Sequence, residues 1–124
     1  FAAEPEGFDD MKRSLAANRI LSNKPGNHSI CDAIITPSPG EVPFEIAKKN
    51  VKGGYVVTDQ EVCDAMRIAY RYFKLVTEPG GAVALASVFK PNFKPLGQDI
   101  IVILSGGNVD ETLFSSVLAQ KSES

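Results

Sequence analysis

Of 124 residues none is tryptophan, two are cysteine, two are methionine and one is histidine. Cys31 and Cys63 have no metal-ligand spacing and allow one bridge at most, so neither a disulfide scaffold nor a cysteine-based metal site is expected. Free buried thiols in a reducing cytoplasm are the expectation. An excess of charge is also missing. Thirteen Lys+Arg against 15 Asp+Glu give a formal charge of −2, which provides no electrostatic footprint for nucleic acid and no basic face for an anionic membrane. No apolar run approaches the ~20 residues that span a bilayer. Low-complexity tracts and internal repeats are absent, and Val, Ile, Leu and Phe recur along the whole length, which excludes intrinsic disorder.

What remains is 44% hydrophobic residues in a chain of one-domain length, enough to bury roughly two-thirds of its extended surface. The chain opens on Phe1-Ala2-Ala3-Glu4, which reads as the end of a buried strand. It is therefore expected to have a trimmed start or to be a piece of something larger. Pro5 and Gly7 turn the chain, and Phe8, Met11 and Leu15 mark one face of a helix over residues 8–18. A polar loop follows to Ser29. The compact apolar run 29–36 suggests a short strand, ended by Pro37, Pro39 and Gly40.

Residues 41–51 read as a helix with Val42, Ile46 and Ala47 inward, and 55–57 as a strand after Gly53-Gly54. Thr58 with Glu61 is a capping box and starts a helix of roughly 25 Å, reaching Leu75 at 1.5 Å per residue. Its polar stripe is Gln60, Asp64, Arg67, Arg71 and Lys74. Glu78-Pro79-Gly80-Gly81 interrupts, and a helix over 82–89 presents Ala82, Ala84 and Ala86 for close approach to a sheet. Residues 100–104 form a continuous apolar run, the pattern of a central parallel strand buried on both faces. Ser105-Gly106-Gly107-Asn108 turns it into a last helix over 110–120, and the tail beyond Gln120 is expected to fray. Helices alternating with short apolar strands predict an α/β domain.

Two constellations have chemical potential. The Ser105–Asn108 turn follows the carboxyl end of the most strand-like segment, where ligands bind in open α/β sheets. A plain strand-to-helix turn needs the same glycines, and spacing alone leaves that structural reading the commoner one. Glu4, Asp9 and Asp10 cluster around a turn and suit a hard cation, although acids in the first turn of a helix also answer its dipole. His28 has no catalytic neighbours in sequence and reads as solvated.

Three segments in order add to this. Glu4-Pro5-x-x-x-Asp9-Asp10, Lys74-Leu75-x-x-Glu78-Pro79-Gly80-Gly81-Ala82 and Leu104-Ser105-Gly106-Gly107-Asn108-Val109-Asp110 resemble the C-terminal portion of the threonine/serine dehydratase and serine racemase family of fold-type II pyridoxal-phosphate enzymes. Ser29-Ile30-Cys31-Asp32-Ala33 resembles that family's short cofactor-side segment. The resemblance implies that residues 1–124 are a single C-terminal segment of the large cofactor-binding domain, a mostly parallel sheet flanked by helices, with the upstream catalytic half outside this chain.

Carried over by residue, the resemblance implies cofactor contacts at Ser105, Gly106, Ala33 and Glu78, with the Ser105 hydroxyl on the pyridine nitrogen. It implies a Mg²⁺ or Ca²⁺ site at Glu4, the Phe8 carbonyl and Asp10. Neither the Schiff-base lysine nor the glycine-rich phosphate loop of the family has a counterpart here, so no catalytic residue is expected in this chain and alone it is expected to be inactive. The implied activity of the complete protein is cytoplasmic deamination of L-threonine or L-serine to a 2-oxo acid and ammonia. Serine racemase and 3-hydroxyaspartate dehydratase are the alternatives within the family, and a non-catalytic α/β interaction fragment is the alternative outside it. Expected partners are the upstream N-terminal half, a small hydroxy-amino-acid substrate and further copies of the complete enzyme; neither nucleic acid nor membrane is expected.

Overall fold

A computed structural model describes residues 1–120. Strand β1 (Ala2–Pro5) pairs in parallel with β2 (Gly54–Val57), Ala2 opposite Gly54 and Pro5 opposite Val57. The crossover between them holds α1 (Asp10–Ala17) and α2 (Glu41–Asn50), as a parallel pair requires. Helix α3 (Asp59–Ile68) follows β2, a π-helical turn over Ala69–Phe73 closes it, and α4 (Pro79–Val88) and α5 (Glu111–Ala119) complete the chain. This is the α/β class that the alternating pattern predicts.

Two starts follow directly from local chemistry. The Thr58 amide donates to Glu61 Oε2 at 2.8 Å and the Glu61 amide donates to Thr58 Oγ1 at 3.2 Å, the reciprocal capping box that begins α3. Pro79 occupies the first turn of α4, where its missing N–H is no loss. Helix α4 is apolar all round because it is the centre of the molecule. Ala82, Val83, Leu85 and Ala86 are buried between α3 and the sheet, together with Val57, Val62, Ala65, Met66 and Val117. The small residues permit the close approach to β1 and β2 that the alanines predict.

Four expectations are corrected. Residues 29–36 are not a strand: Asp32–Ile34 form a 3₁₀ turn, because Asp59 accepts from the Ser29 hydroxyl at 2.6 Å and the Ile30 amide at 3.1 Å and so ties this segment to the start of α3. On α2, Phe44 and Ala47 are buried, whereas Val42 and Ile46 are 71% and 58% exposed; the helix turns its other stripe to the core. Arg67 is not on a solvated stripe but 2% exposed, since α5 lies over it. Its guanidinium donates to the Val117 carbonyl at 3.0 Å and to Gln120 Oε1 at 3.3 Å, and pairs with Asp64.

The fourth concerns residues 100–104. They form no ladder with β1 or β2, the only strands among the described residues. Val102 and Leu104 pack against the core, while Ile101 and Ile103 are 90% and 71% exposed. One face of the segment is covered and the other is bare. The tail beyond Gln120, expected to fray, lies outside the described residues. No helix among the described residues is long and apolar enough to cross a membrane.

Candidate functional site

The first helical turn of α4, the 3₁₀ turn and the Ser105–Gly107 turn meet at one place. Glu78 stands at the N-cap position of α4 with extended backbone, and its amide donates to the Gly106 carbonyl at 3.0 Å. Its side chain makes no capping hydrogen bond. The carboxylate lies instead against Gly106, where an added Cβ would be 2.1 Å from Oε1. Gly81 faces the same turn: a Cβ there would meet the Gly106 carbonyl oxygen at 2.7 Å and its nitrogen at 2.8 Å. A Cβ on Gly107 would meet the Val76 carbonyl oxygen at 2.8 Å. These glycines bring the turn onto the start of α4 closer than any side chain permits.

Ala33 reaches this junction from the third direction. The Cβ position of Gly80 lies 3.6 Å from Ala33 Cβ, an ordinary van der Waals contact. Ala33 and Ser105 are exposed, and Glu78 and Gly106 are half-buried. The four residues that the resemblance implies as cofactor contacts therefore belong to one cluster. Sequence reasoning missed Thr77 beside it. The Thr77 hydroxyl is buried and has no hydrogen-bond partner. Only its position next to Glu78 could have drawn notice.

The acidic group is built on β1 and α1. Glu4 accepts from the Met11 amide at 2.8 Å and the Lys12 amide at 2.9 Å, one through each carboxylate oxygen, and so serves the N-terminal turn of α1. Burial raises its pKa, and the nearby Asp10 and Asp9 charges raise it further against the lowering effect of the two amides. Asp10 is buried and accepts from Asn23 Nδ2 at 2.6 Å, and Asn23 also donates to the Thr36 carbonyl at 2.7 Å. Asp9 is paired with Arg13 at 3.1 Å. Among the described residues no group of three or more His, Cys, Asp or Glu side chains is placed to hold a metal. Any cation here would use two carboxylates with carbonyl and water oxygens, the donor set of Mg²⁺ or Ca²⁺.

The remaining reactive groups are inert by position. Cys31 is buried and its thiol is pushed up to about 11, chiefly by burial, so it carries no thiolate at neutral pH. Burial raises Cys63 as well. His28 is exposed, as a solvated loop residue should be.

A parallel β–α–β frame with a glycine turn stacked on a buried helix defines an α/β domain. The sequence profile of the family described as pyridoxal-phosphate dependent enzyme matches residues 1–106, and the chain belongs to this family. It is 38% identical over 121 residues to serine racemase of Dictyostelium discoideum, covering 95% of this chain and 37% of that protein. To beta-hydroxyaspartate dehydratase of Paracoccus denitrificans it is 34% identical, covering 88% of this chain and 34% of the relative. The solved T.th. threonine deaminase superimposes with a TM-score of 0.80 at 39% identity, over 86% of this chain and 36% of that one. The chain thus spans about a third of the length of the relatives it matches.

Proposed function

We propose that this chain is the cofactor-side wall of a pyridoxal-phosphate-dependent dehydratase that deaminates L-threonine or L-serine. The observation that supports the proposal is the packing of the Ser105–Gly107 turn and the Asp32–Ile34 turn on the start of α4, with Glu78 against Gly106, Ala33 beside Gly80, and Ser105 exposed. The residues fit the group. Ser105 is exposed beside Gly106, and its neutral hydroxyl suits a ring nitrogen.

Bound pyridoxal phosphate would supply the electron-withdrawing ring that stabilises negative charge at the substrate α-carbon. Ser105 would hydrogen-bond the ring nitrogen through a neutral hydroxyl. Unlike a carboxylate, it does not hold that nitrogen protonated, so the ring withdraws less charge, which suits elimination of a β-hydroxyl from a short-lived carbanion. Gly106, Ala33 and Glu78 would line the bound ring. Glu4, the Phe8 carbonyl and Asp10 would hold Mg²⁺ or Ca²⁺ and order the turn between β1 and α1. The lysine that removes the α-proton is assigned to polypeptide outside this chain, and the chain alone is expected to be inactive.

The relatives' names include a racemase and a hydroxyaspartate dehydratase as well as a threonine deaminase. In the complete holoenzyme, Ser105→Asp should shift the cofactor absorbance band and slow 2-oxo acid formation from L-threonine. An unchanged spectrum and rate would remove Ser105 from the site. D-serine as the main product from L-serine would replace the dehydratase with a racemase.

A further inference from the structure

We propose that Asn23 is a positioning residue for the cofactor site: its side-chain amide ties the far end of segment 29–37 to α1 and so fixes the turn that bears Ala33. The proposal rests on the functional reading for the role of Ala33; the tie itself stands on hydrogen bonds.

Asn23 lies half-buried in the polar loop between α1 and the 3₁₀ turn, and both polar atoms of its side chain are in use. Nδ2 donates to the Thr36 carbonyl at 2.7 Å and to Asp10 Oδ1 at 2.6 Å, while Oδ1 accepts from the Arg13 guanidinium. Chemistry permits this orientation alone, because a guanidinium only donates whereas a carbonyl and a carboxylate only accept. The anchors are themselves held. Asp10 is buried in the first turn of α1, and Arg13 is paired with Asp9 at 3.1 Å and donates to the Ser22 carbonyl at 3.2 Å. The backbone amide of Asn23 adds a bond to the Pro37 carbonyl at 2.7 Å.

The two ends of segment 29–37 are held differently. At the first, Asp59 accepts from Ser29 and Ile30, and the adjoining Cys31 is fully buried. At the second, Thr36 and Pro37 are exposed, and among the described residues 35–39 make hydrogen bonds to Asn23 alone. Between the ends lie Ala33, exposed, and Ile34, whose amide donates to the Cys31 carbonyl at 3.0 Å. One turn of 3₁₀ helix has poor hydrogen-bond geometry and little stability of its own. The place of Ala33 beside Gly80 therefore follows from what holds its flanks, and the second flank depends on Asn23. With the amide removed, the turn would sample several positions, and a ligand that needs one of them would meet the cost of ordering it.

The test compares, in the complete protein, the parent with Asn23→Ala and with Asn23→Asp, which keeps the shape but puts a carboxylate oxygen where the donor stood. Deuterium exchange of the Ile34 amide is read without cofactor, and pyridoxal-phosphate affinity is read from the cofactor absorbance band as cofactor-free protein is titrated. Both variants should speed Ile34 exchange and weaken pyridoxal-phosphate binding, each on the order of tenfold. Arg67→Ala, at the junction of α3 and α5, should lower the melting temperature yet leave both readouts at the parent's values, which separates positioning from general stability. Unchanged exchange or unchanged affinity in the folded Asn23 variants overturns the proposal, and so does equal weakening by Arg67→Ala. Unfolding of both Asn23 variants overturns it too, because Asn23 then serves the fold rather than the site. A parent that binds no pyridoxal phosphate sinks the functional reading and the positioning role with it. A parent that binds it no more tightly than the variants do sinks the positioning role alone.

Discussion

The carboxylate of Glu78 rests on Gly106, and the backbone of Gly106 rests in turn on Gly81. The two contacts differ in what can yield. A methyl group on Gly106 would strike Glu78 Oε1, the free end of a flexible side chain, whereas one on Gly81 would strike the backbone of Gly106 at 2.7 and 2.8 Å. Gly81→Ala should therefore destabilise the fold by about 1–3 kcal/mol, as overpacking does. Gly106→Ala should cost less in stability and instead turn Glu78 aside. Urea unfolding of the two variants checks the order. A larger loss from Gly106→Ala would mean that Glu78 is held rigidly.

Arg67 is the second junction on which the fold depends. Arg67→Ala removes the donor from the Val117 carbonyl and leaves a cavity between α3 and α5, so a loss of about 2–5 kcal/mol is expected. Asp64→Ala should cost less, because Asp64 is 44% exposed and Arg67 keeps its bonds to Val117 and Gln120. Thermal melts of both variants decide it. Equal losses would mean that the ion pair, not the α3–α5 tie, is what stabilises this corner.

These two junctions also show where the sequence is legible. Thr58 with Glu61 announces its helix because the signal is local, a side chain meeting a backbone group a few residues away, whereas α4 begins at Pro79 rather than the expected Ala82, since proline fits a first helical turn. The cofactor assignment of Ser105, Gly106, Ala33 and Glu78 rests on the family resemblance, because spacing alone leaves Ser105–Asn108 a plain strand-to-helix turn. Arg67, Val42 and Ile46 were misplaced because helical spacing identifies stripes but not which stripe another element will cover. Segment 100–104 reads as a strand and is extended, but a ladder needs a partner that local sequence cannot supply. Residues 29–36 failed differently: two hydrogen bonds to Asp59, some thirty residues on, outweigh the apolar pattern.

Stability toward acid should show two opposed contributions. Burial alone would raise the Glu61 pKa, but hydrogen bonds from Lys90 and the Thr58 amide, with the Lys90 charge, bring it below the usual 4.5. A carboxyl depressed by folding stabilises above its unfolded value, and that contribution disappears as pH falls through the folded value. Glu61→Gln should therefore flatten the loss of melting temperature on acidification below about pH 4.5. Glu4 has the opposite sign: its raised pKa favours folding at low pH, and this is lost as pH rises through the folded value. Glu4→Gln should make the acid limb steeper. Parallel melting curves for both variants and the parent would show that neither group is linked to folding.

That opposition bears on the proposed cation. Glu4, Asp9 and Asp10 repel one another, and Arg13 answers only Asp9. Mg²⁺ or Ca²⁺ held by Glu4, the Phe8 carbonyl and Asp10 would relieve this repulsion directly. At a cation concentration a hundred times its dissociation constant, binding to the folded state alone adds about 2.7 kcal/mol. Chelation should lower the melting temperature of the parent protein accordingly. Glu4→Ala should start lower, because the Met11 and Lys12 amides lose their acceptor, and should then be insensitive to chelator. If both proteins respond equally to chelation, the cation is elsewhere and Glu4 only caps α1. If neither responds, no cation binds there and the acids answer only the helix dipole.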